Sequence, residues 1–190
     1  MRAAERLGKE SKPAPGDLRF VQAFVNTLDV ESGRDRFAEV SELQSWLHTH
    51  CELDASIRLT EKHRQEAVEF REALRTVMTE GSESDPAALA VLEDVGRRAD
   101  LRLSTTKDGR LNLDASGTDP CSALGRLLAA VHTAMLDGTW SRLKVCAADE
   151  CRWAFYDASK NRSGTWCSME VCGNRSKVRE HRSRQRPAQA

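Results

Sequence analysis

At 190 residues, 39% hydrophobic and 31% charged, the chain is sized for one domain or one domain with a small appendage, and it holds no run near the roughly 18 apolar residues of a membrane span. Its N-terminal MRAAERLGKESKPAPG carries charge without the apolar core of a secretory signal, so a cytoplasmic protein with reduced thiols is expected. The formal net charge of zero conceals a split: residues 141–190 hold eleven Lys and Arg against five Asp and Glu, a balance of +6, which leaves −6 for residues 1–140.

Such a split suits a tail that meets a polyanion, and it equally suits a basic helix that docks on the chain's own acidic surface. Residues 1–16, with Pro13, Pro15 and Gly16, read as a disordered leader. Asp17 is placed to cap a first helix, Leu18 to about Asp29, in which Leu18, Val21, Phe24, Val25 and Leu28 fall at helical spacing. Ser41-Glu42-Leu43-Gln44 has the S-x-x-Q form of a capping box and predicts a helix through Trp46 and Leu47 to about His50. Thr60 is expected to cap a longer helix, Glu61 to Glu80, with Ala67, Phe70, Leu74, Val77 and Met78 as its apolar stripe and Gly81 as its stop. Asp85-Pro86, a cap followed by Pro at the first helical position, opens a helix to about Arg98.

The hydrophobic rhythm then changes to period two. Leu101, Leu103 and Thr105 alternate with polar residues, and the alternation resumes at Leu111 after Lys107-Asp108-Gly109, which predicts a β-hairpin. Asp119-Pro120 opens a last body helix, with Leu124, Leu127, Leu128, Val131, Met135 and Leu136 inward and Gly138 at its end. The expected body, residues 17–140, is thus about five helices and one hairpin, followed by a module at 141–186 and a tail at 187–190. His48, His50, His63, His132 and His181 stand in no recognised catalytic pattern. Cys51 and Cys121 are expected to be structural, as small buried hydrophobes. Asn26, Thr27 and Arg71 are polar groups on apolar faces, either lining a pocket for a small-molecule effector or pairing with one another inside the body.

Cys146, Cys151, Cys167 and Cys172 form C-x4-C-x15-C-x4-C, the arithmetic of a four-thiolate zinc site. Arg152 to Tyr156 and Thr165-Trp166 read as two short aromatic strands, joined by a polar turn from Asp157 to Gly164, and Ser168 is placed to cap a helix whose first turn carries Cys172. Knuckle, hairpin and ligand-bearing helix suggest a treble-clef-like finger. A closed four-thiolate set argues for one structural Zn2+ rather than a catalytic one, with a thiol-based redox switch as an alternative. Gly173 lets the backbone approach closely. Beyond it Arg175, Arg179, Arg182 and Arg186 fall on one helical stripe, while Val171 and Val178 lie on another face suited to packing on the hairpin. Guanidinium groups match phosphate and guanine edges bidentately, and Lys160, Asn161 and Arg162 add basic or polar contacts from the turn. The sequence therefore points to duplex DNA as the partner, with RNA or protein as alternatives. Sequence-specific reading requires a homodimer or a second element.

The stretch with C-x4-C, FYDASKNRSGTWCS and Cys172-Gly173-Asn174-Arg175-Ser176-Lys177 resembles the CGNR zinc finger. FVNTLD at 24–29, SELQSWL at 41–47 and FREALR at 70–75 resemble the helical ABATE domain, which precedes that finger in bacterial, notably actinobacterial, proteins and is associated with stress-induced transcription regulation. The resemblance implies a non-enzymatic, DNA-binding regulator, mainly α with small β-hairpins. It implies Cys146, Cys151, Cys167 and Cys172 as zinc ligands, and Lys177 and the following arginines fit the basic helix of the family pattern; the candidate nucleic-acid contacts are Lys160, Arg162, Asn174, Arg175, Lys177, Arg179, Arg182, Arg184 and Arg186. Gly164-Thr165 departs from the pattern, where a basic residue is expected before Trp166.

Overall fold

The computed structural model describes residues 13–80, 85–105, 107–109 and 111–185. An aromatic cluster organises the body: Phe24 lies 5.4 Å from Phe37, 5.2 Å from Trp46 and 5.8 Å from Phe70, centroid to centroid. These rings come from three helices and a loop, which explains why each helix presents one apolar stripe. The helices are α1 (Leu18–Val25), α2 (Val40–His50), α3 (Glu61–Glu80), α4 (Pro86–Arg98), α5 (Pro120–Leu136) and α6 (Asn174–Gln185). Three separate antiparallel pairs accompany them: β1 (Leu28–Asp29) with β2 (Arg34–Asp35), β3 (Leu101–Thr105) with β4 (Leu111–Ala115), and β5 (Leu143–Val145) with β6 (Ala154–Tyr156). The fold is mainly α with small two-stranded sheets, as expected.

Several predicted ends follow local chemistry closely. Asp85 Oδ1 accepts from Ala87 N at 2.9 Å and Asp119 Oδ1 from Cys121 N at 2.9 Å, both ahead of a proline at the first helical position. The β3–β4 register runs Leu101 to Ala115 through Thr105 to Leu111, with Gly109 at φ +79° in the turn. At the start of α3 the expected Thr60 cap is replaced by His63, whose Nδ1 accepts from Thr60 N at 3.1 Å and lies 3.2 Å from the Thr60 hydroxyl. The proposed stop at Gly81 lies outside the described residues.

Other expectations are corrected. The first helix stops at Val25 rather than near Asp29, because the Thr27 hydroxyl turns back to Phe24 O at 2.7 Å and Leu28 enters β1. Asp17 makes no side-chain cap. The capping box does not form: α2 begins at Val40, and Gln44 Oε1 instead accepts from Leu59 N at 3.2 Å, tying α2 to the following loop. Met135 and Leu136 are exposed, at 50% and 77%, because α5 runs past the elements that cover its middle. Of the proposed leader, residues 1–12 lie outside the described residues, while Ala14 is buried and its N–H donates to Gln22 Oε1 at 2.8 Å.

The C-terminal module is joined to the body through shared core and buried polar contacts. Leu143 and Ala154 sit in the same apolar core as α1, α3 and α5, with Trp140 and Tyr156 packed against it. Asn26 behaves like a short strand: its Nδ2 donates to Ala154 O at 2.8 Å and its Oδ1 accepts from Ala154 N at 2.7 Å. Arg75, 1% exposed, donates through Nη1 to Arg152 O and through Nη2 to Val25 O, each at 2.7 Å. These bonds fix the module's hairpin on the junction of α1 and α3.

Candidate metal centre and basic helix

The cysteine knuckle forms at the tip of β5–β6, where Cys146 N donates to Trp153 O at 2.9 Å and Cys151 N to Ala148 O at 2.8 Å. Arg152 takes a left-handed turn, φ +48°, to bring the chain back into β6. This corrects the expected hairpin: β6 pairs with β5, ahead of the first cysteine, and Thr165-Trp166 is not a strand. Its tie to the knuckle is the bond from Ala147 N to Thr165 O at 3.1 Å.

The loop from Asp157 to Gly164 is wound around one carboxylate. Asp157, buried, accepts from Ser159 N at 3.0 Å, Gly164 N at 2.7 Å and Lys144 Nζ at 2.8 Å. Lys144 also donates to the carbonyls of Arg162 and Gly164. Burial works to raise the Asp157 pKa, but the Lys144 ammonium and the N–H donors overcome it and hold the carboxyl well below the usual range. A Cβ at Gly164 would lie 2.8 Å from the Asp157 carboxyl carbon. Space therefore accounts for glycine at this position.

Cys172 is carried by a single π-helical turn, Met169–Gly173, capped as expected by Ser168, whose Oγ accepts from Val171 N at 3.3 Å; Cys167 stands just ahead of that cap. Gly173 N reaches Ser168 O at 3.0 Å, and a Cβ at Gly173 would stand 3.0 Å from Met169 Sδ and 3.4 Å from Trp166. The turn sets Cys172 inward and continues directly into α6.

All four sulfurs converge within 4.8 Å of one another. Cys151 and Cys167 Sγ are 3.6 Å apart, and Cys167 and Cys172 Sγ 3.7 Å. Zinc–thiolate bonds of ~2.3 Å in a tetrahedron imply sulfur separations of roughly 3.8 Å, so the geometry fits the ion closely. Cys146, Cys151 and Cys172 are buried, Cys167 is half-buried, and Trp153, Phe155, Trp166 and Val171 surround them. Without a counter-charge the clustered thiols resist ionising together: contact with Cys146 raises the pKa of Cys151 and Cys167, burial raises that of Cys172, and hydrogen bonding from Cys151 and Cys167 lowers that of Cys146. Four thiolates this close need a divalent counter-charge, which Zn2+ supplies.

The candidate nucleic-acid residues are divided. Arg175 Nη1 pairs with Glu31 Oε1 at 2.9 Å, and Arg179 Nη2 with Glu150 Oε1 at 2.6 Å. Lys177 and Arg182 are exposed on α6, and Lys160 and Arg162 on the loop. Asn174 Nδ2 donates to Glu170 O at 3.0 Å, inside the turn. The Arg184 side chain and Arg186 lie outside the described residues. Val171 packs on the cysteine cluster, but Val178 is 49% exposed, so α6 leaves the hairpin instead of lying on it.

Asn26, Thr27 and Arg71 are buried and satisfied inside the body, Asn26 by Ala154 and Thr27 and Arg71 by one another and Asp35. Arg71 donates to Asp35 Oδ1 and Oδ2 at 2.6 and 2.8 Å and to Thr27 Oγ1 at 3.2 Å. Among the described residues no buried side-chain nitrogen or oxygen lacks a partner. A cavity of about 520 Å³ lies elsewhere in the body, lined among others by Leu18, Phe20, His50, Leu113, Arg126 and Ala130. Sequence reading missed Arg75, Glu31, Glu150 and the Lys144–Asp157 pair. Arg75 had a signal, since it stands four residues after Arg71 beside the apolar stripe of α3.

A helical body bearing a closed four-thiolate finger and a basic terminal helix defines the class: a zinc-finger protein with one structural zinc. Residues 18–139 match the ABATE model, described as "Putative stress-induced transcription regulator", and residues 142–185 match the CGNR zinc finger. The chain belongs to the ABATE family and ends in a CGNR zinc finger. Both descriptions are of a regulator or a finger, not of an enzyme. No curated protein matches the chain. Among the described residues no helix is long and apolar enough to cross a membrane.

Proposed function

We propose that this chain is a cytoplasmic, non-enzymatic transcription regulator that binds duplex DNA through α6 and the loop at Lys160 and Arg162. The observation that carries this reading is the junction of the cysteine cluster with α6. Cys172 and Arg175 are three residues apart across one continuous turn, so the metal site sets the direction of an exposed basic helix that has no apolar face to bury. Zinc supplies rigidity and charge neutralisation. Arg175, Lys177, Arg179 and Arg182, with Arg184 and Arg186 beyond them, supply the phosphate-binding cations, and Asn174 shapes the start of the helix. Where phosphate contacts dominate, the logarithm of the affinity falls linearly with log salt, with a slope of about 0.9 for each phosphate neutralised. The cavity beside α5 is the site we assign to an effector, and a second copy of the chain would supply the second half-site.

Fluorescence anisotropy with a mixed-sequence duplex tests the reading. Replacing Arg175, Arg179 and Arg182 together with Ala should weaken binding and reduce the salt slope by about 2 to 3; unchanged affinity and slope would rule the helix out. Parallel titrations with single-stranded RNA separate the RNA-binding alternative. For the metal, the purified chain should carry about one zinc, and Cys167→Ser should lose it together with the finger's fold.

A further inference from the structure

The two best-formed contacts of the basic helix are with the chain's own acids. Arg175 is held by Glu31, which belongs to the body, and Arg179 by Glu150, which belongs to the knuckle. Neither acid is loosely placed. Glu31 sits in the β1–β2 turn, where Asp29 Oδ1 accepts from the N–H groups of Glu31 and Ser32 at 3.1 and 3.3 Å and Gly33 adopts φ +70°. The next strand is fastened to α3 by the two Asp35–Arg71 bonds. Glu150 lies one residue before Cys151, so its backbone is set by the cysteine cluster. By contrast, Lys177 and Arg182 have no carboxylate partner within ion-pair distance among the described residues.

A phosphate oxygen and a carboxylate oxygen ask for the same guanidinium donors in the same fork geometry. A polyanion that approaches α6 must therefore displace Glu31 and Glu150 or share arginines with them, and it meets their negative charge while doing so. We propose that Glu31 and Glu150 form an electrostatic brake on α6, competing with nucleic-acid phosphate for Arg175 and Arg179; this rests on the DNA-binding reading above. The two arms differ in what they report. The Glu150 arm lies within the finger and sets a constant level of competition. The Glu31 arm joins finger to body, so any movement of the β1–β2 turn relative to α3 alters how firmly Arg175 is held.

The test uses the full zinc-loaded chain and a labelled mixed-sequence duplex at low and moderate ionic strength. Glu31→Gln and Glu150→Gln keep the side-chain shape and remove the charge. Each should tighten binding about two- to fivefold, the range set by exposed ion pairs, with the double variant near the product of the two. Asp149→Asn, which removes the same charge next to Glu150 but from an acid that holds neither arginine, should tighten it less than either. In an Arg175→Gln background, Glu31→Gln should have no more effect than Asp149→Asn. If the wild-type chain binds duplex but the two Gln variants tighten no more than Asp149→Asn, or bind more weakly, the brake is wrong and the DNA reading stands. If neither the wild type nor any of these variants binds duplex, both fall.

Discussion

Two helices carry arginines four residues apart, and their surroundings could hardly differ more. On α3, Arg71 and Arg75 are each 1% exposed, and their guanidinium groups meet carboxylates of Asp35 and Glu72, the Thr27 hydroxyl and the carbonyls of Val25 and Arg152. On α6, the side chains of Arg175 and Arg179 are 44% and 63% exposed, and each has a single carboxylate contact. A desolvated guanidinium must satisfy its donors within the protein, and it becomes a fixture of the fold. An exposed one keeps donors in water and exchanges partners at small cost. Stability is therefore concentrated in the α3 pair and binding capacity in the α6 pair, although the two residue patterns look alike.

The strongest way to break this comparison is Arg75→Ala. It leaves two carbonyls without their donor at the body–finger seam, and a loss of about 3 to 5 kcal/mol is expected in urea unfolding, a large share of the roughly 5 to 15 kcal/mol of a typical domain. A change as small as that of a surface arginine would abolish the distinction. Asn26→Ala removes the acceptor of the Ala154 N–H and leaves the Ala154 carbonyl with only the 3.3 Å bond from Gln22 Nε2, and it should cost about 1 to 3 kcal/mol, read as a lower melting temperature of the zinc-loaded chain. Acid titration sharpens the same point at Arg71. Burial acts to raise the Asp35 pKa, but the bonds and charge of Arg71 prevail and lower it. Its contribution is thus full above the unfolded carboxylate value of about 3.9 and lost as pH falls through the lower folded value. Urea midpoints across this range should fall more steeply for the wild type than for Asp35→Asn, and zinc release common to both cancels in the difference. Last, Arg179→Ala should alter stability by no more than about 1 kcal/mol while weakening DNA binding.

Features that depend on neighbouring residues were legible in the sequence. Asp85-Pro86 and Asp119-Pro120 cap their helices because a side chain needs to reach only two residues ahead. The β3–β4 turn follows from Asp108-Gly109 between alternating runs. Ser41 and Gln44 look like a complete local device, yet Leu59 offers Gln44 an unpaired N–H and wins it. The finger hairpin was misassigned for a related reason. The aromatic residues of Arg152 to Tyr156 signal a strand but not its partner, and Leu143–Val145 carries no aromatic signal of its own.

Spacing alone determined the four cysteines, their closed thiolate set, and the position of a basic helix immediately behind them. Tertiary structure decided what that helix touches. Arg175 finds Glu31 across 144 residues of chain, and Asn26 finds Ala154 across 128. No periodicity or cap in either segment records such a partner, because the contact exists only after the body has packed α1 and β1–β2 against the finger. Local hydrogen bonding and ligand geometry are written in short stretches of sequence, whereas the choice of counter-charge for an arginine depends on which distant surface the core brings alongside it.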